Sequence, residues 1–403
     1  MVEGIVADNP MVIRSQAHAS APGDTSPDTI RVFVLLARGF GAPQWQARWD
    51  RSEIIGLNER LPYGFSLAQE EGCVVEYSED RRESPLGTAC RLGARLVLGF
   101  DFIHAWRNRR GILAAEIVWT GTESQYLAIL LLLRWHRGQD RPKLIAQSVW
   151  LFDAWPRLSP LKRWLYRRLI ADAEVLTVHS TEGLRVAHAL FPRQRAEFMP
   201  FGIGAADIMS PRRPRAHSPV RVLSAGNDRH RDWATLVAAI RDWPDAELRI
   251  VAPRLPAGLE LGANVALVHP TTNGEYFELY RWADVMALAL RPNLHGSGIT
   301  VIEEATIFGV PVAVTDVGGL RSYFSDQEVR YVQGSDPGAM REAIAAIAAD
   351  ETSAQMVERA QRRMIETGLT SRGFASRHVA LSRELLGRES GSRYSTGDVA
   401  LSI

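Results

Sequence analysis

Cysteine occurs only at Cys73 and Cys90 in 403 residues, so neither a disulfide framework nor a cysteine-rich zinc site is expected. Long apolar runs are also missing, and residues 127–133, the most apolar stretch, are too few to span a bilayer. The first residues, MVEGIVADNPMVIRSQAHAS, lack the apolar core of a secretion signal, so a cytoplasmic protein is expected. Neither sign of charge dominates. With 47 Lys and Arg against 46 Asp and Glu, the formal net charge is +1, which argues against a general nucleic-acid binder. What is present is ordinary for a soluble globular chain, 46% hydrophobic and 23% charged, at a length that suggests two domains.

The pattern along the chain supports that division. Residues 1–29 are polar and read as a mobile extension. Runs rich in β-branched residues at 31–36, 73–77, 115–120, 144–147 and 175–179 read as buried strands. Helical patterns fall between them at 63–71, 98–109, 123–134 and 159–171. This alternation indicates parallel βαβ units in a doubly wound sheet, giving a first Rossmann-like domain over 30–209. The segment SPRRPRAHSP, 210–219, has the prolines and like charges of a linker. A second α/β series fills 220–350, with strands expected at 222–225, 248–252, 265–269, 285–290 and 312–315. Helices are expected at 337–350, 353–367 and 371–386; those within 351–387 should pack back on the first domain, and 388–403 reads as a disordered tail.

The chemistry concentrates in residues 297–319, SGITVIEEATIFGVPVAVTDVGG. Gly298 permits a tight turn and close approach by a ligand. Thr300 stands where a helix should begin, and a helix amino terminus with its unpaired N–H groups is a site for phosphate. Glu304 projects from the same helix about a turn behind, placed to accept hydrogen bonds from ribose hydroxyls. Phosphate at a helix tip with a carboxylate behind it suits a nucleoside diphosphate.

This segment resembles the donor-binding half of GT-B glycosyltransferases, in particular those like glycosyltransferase family 4. The family pattern runs roughly SG-x-T-x-x-x-EA-x-x-x-G-x-PV and then a GG turn. Ser297, Gly298, Thr300, Glu304, Ala305, Gly309, Pro311, Val312, Gly318 and Gly319 match it. Many members carry a second glutamate eight residues before the one matching Glu304; here that position is Gly296, beside His295. The resemblance implies two doubly wound Rossmann-like domains with the ligand in the cleft between them. It implies no cofactor and no metal, only a nucleotide-diphosphate sugar as donor substrate, with retention of anomeric configuration favoured. The diphosphate would be held by Gly298, Ile299 and Thr300.

Other segments fit that plan. The segment GNDRHRDWATLVAAI, 226–240, resembles the family's phosphate loop, with glycine at a strand end and Arg231 as the basic residue before the helix. Gly226 and Arg231 join the donor site. Arg229 reads equally as a donor contact or a solvated basic turn. His295 can contact sugar or phosphate, or be structural. Glu303, next to Glu304, reads as a surface or helix-dipole residue. Gly39 and Gly41, after the first strand, are expected to face the donor across the cleft. For a catalytic base the first domain offers Glu123 and Asp153 near strand ends, and each reads equally as a cap or an ion pair. Residues that read the base are expected near His269 and Pro270.

Arg157, Lys162, Arg163, Arg167 and Arg168 form an acid-free cluster around 159–171 with Trp164 and Tyr166 between them. Such a face can rest on anionic lipid at the inner membrane, or simply be solvated. The resemblance implies a saccharide or lipid-linked saccharide acceptor in bacterial surface or exported polysaccharide synthesis. Two alternatives keep the fold: a sugar-nucleotide 2-epimerase, and a non-catalytic nucleotide- or partner-binding protein.

Overall fold

The computed structural model describes residues 28–136, 141–205, 208–211 and 218–388. The expected extension up to residue 27, the middle of the expected linker and the tail from residue 389 lie outside the described residues.

Two six-stranded sheets, parallel throughout, organise the chain. The first contains β1 (Ile30–Leu35), β2 (Cys73–Tyr77), β3 (Ile117–Thr120), β4 (Lys143–Ser148), β5 (Val175–Val178) and β6 (Ala196–Phe198), in the order β2-β1-β3-β4-β5-β6. The second contains β7 (Val220–Ala225), β8 (Ala246–Val251), β9 (Val265–Val268), β10 (Val285–Leu288), β11 (Val312–Thr315) and β12 (Arg330–Val332), in the order β12-β11-β10-β7-β8-β9. Each sheet reverses direction once, between β1 and β3 and between β7 and β10. In doubly wound sheets the ligand crevice opens at such switch points, beyond the carboxyl ends of the strands.

Strand side chains alternate between two apolar layers, as a sheet covered on both faces requires. Phe33 and Leu35 of β1 face a core built with helix Glu123–Trp135, while Ile30, Val32 and Val34 face another containing Phe65 and Trp119. The last helix, Ser371–Leu385, completes that second layer through Phe374, Val379 and Leu381. Trp119 Nε1 donates to Ser382 Oγ at 2.9 Å. Helix Ser353–Glu366 instead packs Ala360 and Met364 into the core around helix Ile299–Ile307.

Several elements differ from the sequence reading. The helix expected over 98–109 is interrupted: helix Pro85–Leu98 ends at Gly99, whose φ of 87° closes it, and helix Phe102–Arg107 follows. Helices Ala42–Asp50 and Thr181–Leu190 and the edge strands β6 and β12 are additional.

The domains meet through directed polar contacts. Ser180 Oγ donates to Leu294 O at 2.7 Å, and Tyr323 OH donates to His179 O at 2.7 Å. Gly56 N donates to Asn273 Oδ1 at 2.9 Å.

Candidate active site

At the switch point of the second sheet, β7 ends at Gly226, whose φ of 144° only glycine readily adopts. Asp232 caps the next helix, accepting from Thr235 Oγ1 at 2.9 Å. This fixes Arg231 just before the helix. Its guanidinium lies flat over the glycine: a Cβ at Gly226 would stand 2.2 Å from Arg231 Nε, and one at Gly298 would stand 2.9 Å from Nη1. Arg231 is 5% exposed, and its Nε and Nη1 have no hydrogen-bond partner among the described residues. Burial pulls its pKa below the usual guanidinium value, while Asp228 and the two tyrosines Tyr276 and Tyr280 oppose that fall. A buried cation with unmet donors is costly unless an anion meets it.

The second anion element faces the first. Helix Ile299–Ile307 starts after Gly298, which has φ 94° and gives no side-chain cap. Gly226, Arg231, His295, Ser297, Gly298, Ile299 and Thr300 all line one cavity of about 440 Å³. It joins a second cavity of about 520 Å³ through Gly226, Thr300 and Tyr63. The second is lined by Val251, Pro253, Val268, His269 and Pro270, where base-reading residues are expected.

Glu304 lines the second cavity and is buried. Its Oε2 accepts from Tyr280 OH at 2.6 Å and Tyr276 OH at 2.8 Å, and its Oε1 accepts from Leu57 N at 3.0 Å. A carboxylate has about four acceptor positions, so three are filled and one remains. Burial pushes its pKa up, and these hydrogen bonds oppose the rise. Glu303 corrects the expectation of a surface residue. It is fully buried, because neighbouring elements enclose helix Ile299–Ile307 on all sides, and neither of its oxygens is hydrogen bonded. Burial raises its pKa well above the carboxylate range, and the charge of Arg377 opposes the rise.

His295 sits between two carboxylates. Its Nδ1 is 2.6 Å from Asp153 Oδ2 and its Nε2 is 2.7 Å from Asp228 Oδ2, and the Trp150 ring lies 4.2 Å away. Burial alone would lower its pKa, but the two carboxylates outweigh that and raise it. Asp228 moves the opposite way. Burial would raise its pKa, and His295, Ser297 and the His230 amide together hold it far below the carboxylate range. Ligand atoms of Asp228, His230 and His295 lie within 4.8 Å of one another, a spacing that could hold a metal ion. Asp153 would then orient His295 from behind, as carboxylates behind metal-bound histidines do.

Both expected bases are committed elsewhere. Asp153 Oδ1 accepts from Leu294 N at 3.0 Å while Oδ2 meets His295, so this carboxylate joins the domains. Glu123 Oε2 accepts from Val149 N at 3.2 Å and Trp150 N at 3.0 Å, so it fixes the turn after β4. The reason is the same in both cases: unpaired loop amides sit beside the carboxylate and take it. Gly39 and Gly41 also fall outside the two donor-side cavities. Their amides donate to Asp80 Oδ2 at 2.8 and 3.4 Å, which turns the loop away. Gly39 instead lines a third cavity, of about 800 Å³, at the switch point of the first sheet. Arg229 is exposed and lies 5.7 Å from the Trp150 ring, on the rim.

Two residues that the sequence did not single out line the 440 Å³ cavity. His179 follows β5; its Nδ1 is 2.8 Å from Met199 O and must carry the proton, leaving Nε2 as acceptor. Burial lowers its pKa to about 4. Tyr63 has φ 56°, unusual for a bulky residue, and lines both donor-side cavities. A strand-end position was the only sequence signal for His179; Tyr63 gave none.

Two doubly wound domains facing a cleft define the GT-B class of glycosyltransferase fold. Residues 254–364 match the model of the family described as glycosyl transferases group 1. Among solved structures, sucrose-phosphate synthase from Thermosynechococcus elongatus is similar over 89% of this chain and 99% of its own, at TM-score 0.66 and 17% identity. Anabaena HepE, solved with UDP-glucose, is similar over 89% and 99%, at TM-score 0.59 and 13% identity. The amino-terminal domain of Candida albicans trehalose-6-phosphate phosphatase is similar over 88% and 97%, at TM-score 0.60 and 12% identity. No curated protein matches the chain in sequence.

Proposed function

We propose that this chain transfers a sugar from a nucleoside-diphosphate sugar, held in the second domain, to a hydroxyl acceptor held in the first. The observation that carries this reading is the buried Arg231, whose free Nε and Nη1 lie beside Gly226 and Gly298 at an uncapped helix start. The HepE structure with UDP-glucose supports a nucleotide sugar as the donor.

In this reading the diphosphate lies against the amides of Gly298, Ile299 and Thr300 and against Arg231. Fixed N–H dipoles and a guanidinium aimed at the leaving phosphate stabilise the charge that develops as the glycosidic bond breaks. That supplies the positive charge without a metal. Glu304 takes a ribose hydroxyl at its remaining acceptor position. His179, neutral above about pH 4, accepts a hydroxyl hydrogen at Nε2. Asp153 acts through His295 as a positioning residue. Retention follows the family resemblance, and NMR of the first-formed anomer checks it.

The acceptor is a saccharide or lipid-linked saccharide of surface or exported polysaccharide synthesis. Helix Pro160–Ile170 supports contact with the inner membrane: Leu161 and Trp164 are 72% and 62% exposed, and Arg157 and Arg168 are exposed beside them. No helix among the described residues is long and apolar enough to cross a membrane.

A thermal-shift screen against UDP, GDP, ADP and their sugar conjugates tests the donor reading. A shift with one nucleotide family supports it and names the base. No shift with any nucleotide removes it in favour of a non-catalytic GT-B protein.

A further inference from the structure

We infer that the acceptor carries an anionic group, a phosphate or a carboxylate, and that Arg82 and Arg95 bind it in the 800 Å³ cavity of the first domain. The inference rests on the transferase reading and names its acceptor class.

The cavity opens beyond the carboxyl ends of β1 and β3, where a doubly wound sheet binds ligands. Trp150 and Thr122 line both this cavity and the 440 Å³ donor cavity, so the two lie side by side.

Two of its three acids, Asp101 and Glu123, are engaged, and so is Glu83 behind them. Glu83, just behind the wall, pairs with Arg38 at 3.4 Å, with Arg91 at 3.0 Å and with Arg107. Asp101 pairs with Arg91 at 2.7 Å, and Glu123 holds the amides of Val149 and Trp150. Arg82 and Arg95 also line the cavity, and neither has an ion-pair or hydrogen-bond partner among the described residues. Arg95 follows Arg91 by one turn of helix Pro85–Leu98, so both project on one face. Arg82 and Arg95 are exposed cations of the cavity that no acid among the described residues neutralises by an ion pair. A guanidinium presents paired donors that match phosphate or carboxylate.

Asp80 gives the site its polar counterpart. Its Oδ2 is held by Gly39 and Gly41, while Oδ1 is buried with no hydrogen-bond partner. That oxygen is placed to accept a sugar hydroxyl. A sugar bearing an anion satisfies Asp80 and the two arginines together.

The rim has a different character. Leu92 lines the cavity and is 50% exposed, and Leu96 and Val97 on the same helix are 79% and 73% exposed. Lys162 Nζ donates to Leu96 O at 3.1 Å, which brings the basic helix Pro160–Ile170 to this edge. An anion with an apolar tail, as in a lipid phosphate, suits this rim; a carboxylated sugar would use the cavity alone.

The test is a calorimetric titration of the full chain with geranyl phosphate, inorganic phosphate, glucuronate and glucose. The nucleoside diphosphate chosen by the thermal-shift screen is held at saturation, so that Arg231 is filled. We expect geranyl phosphate or glucuronate to bind, Arg82→Ala and Arg95→Ala each to weaken binding at least fivefold, and the double variant to lose it. Arg95→Lys should recover part of the loss. Nucleotide affinity should stay unchanged in every variant, which also shows that each is folded. Preference for geranyl over inorganic phosphate assigns a lipid phosphate, and preference for glucuronate over glucose assigns a carboxylate. Absence of anion binding to the wild type, or binding that survives the double substitution, overturns the inference. If no nucleotide binds, the donor reading fails separately, and the same titration on Arg231→Ala still decides the cavity.

Discussion

Arg231 gathers the argument at the residue scale because its position is overdetermined and its charge is not. Gly226 and Gly298 leave it room, Asp232 sets the helix behind it, and nothing among the described residues meets its Nε and Nη1. A hydrogen bond to a charged partner contributes about 1.5–3 kcal/mol. Arg231→Ala should therefore weaken nucleoside diphosphate binding by about tenfold to a hundredfold, since about 1.4 kcal/mol is tenfold. Glu304→Ala should weaken nucleoside diphosphate but leave inorganic pyrophosphate unchanged, because the carboxylate is assigned to ribose. Equal loss for both ligands by calorimetry would remove that assignment. The residues behind these predictions were legible because they lie in two contiguous segments, 226–231 and 297–304, where glycine, cation and acid have fixed spacing. His179, Tyr63 and Asp80 were not. His179 and Asp80 follow separate strands and Tyr63 lies in the 3-10 helical segment Pro62–Glu71, and only the folded domain brings them to the cavities. Gly39 and Gly41 misled for a related reason: Asp80, which turns their amides away from the donor side, is about forty residues distant.

At the scale of elements, strands were easier to read than helices. A parallel strand covered on both faces is an unbroken apolar run, so β11 matches its expected range, and β2, at the sheet edge, matches through its β-branched valines although its residues alternate between buried and exposed. Helix Pro85–Leu98 was hidden by Gly87 and Gly93 and by leucines that face outward instead of marking a core stripe. Those outward residues, with helix Pro160–Ile170, make the most apolar and basic edge of the first domain. Arg163 and Arg167 contribute less than the sequence suggests. Arg163 donates to Pro156 O at 2.7 Å, and Arg167 lies 5.1 Å from the Trp155 ring. Arg157 and Arg168 remain for a surface partner. Near an anionic membrane each cation contributes about 1 kcal/mol. The double charge reversal Arg157→Glu with Arg168→Glu should lower partitioning onto vesicles rich in acidic lipid by more than about tenfold, with no change on neutral vesicles. Unchanged partitioning in a sedimentation assay would leave this helix merely solvated.

The whole molecule is tied together by its last helix and by interior histidines whose titrations act in opposite directions. Helix Ser371–Leu385 lies against the first sheet although it follows the second domain in sequence, and Phe374 is one of its deepest contacts. Phe374→Ala should cost about 3–5 kcal/mol, as phenylalanine truncations in a core do. It should appear as an earlier urea midpoint for the first domain. His378 on the same helix and His179 in the cleft are buried, and burial lowers their pKa values from 6.5 to about 3 and about 4. Both bind protons more readily when unfolded, so the stability they contribute is present above about pH 6.5 and drains away as pH falls towards 4. His295 has the opposite sign. Its folded pKa is raised above 6.5 by Asp153 and Asp228, so its contribution is complete below about pH 6.5 and is lost as pH rises through the raised value. The histidines therefore act against one another: His179 and His378, with buried His104, favour the fold as pH rises towards 6.5, whereas His295 favours it below 6.5, and the raised carboxyls of Glu303 and Glu304 add to the loss on the alkaline side. Urea denaturation of the wild type and of variants from pH 4.5 to 8.5 separates these contributions. In His295→Gln the alkaline decline should flatten while the acid decline stays. An alkaline limb that is unchanged in the variant would mean that the Asp153–His295–Asp228 bridge does not hold a proton across the domain interface.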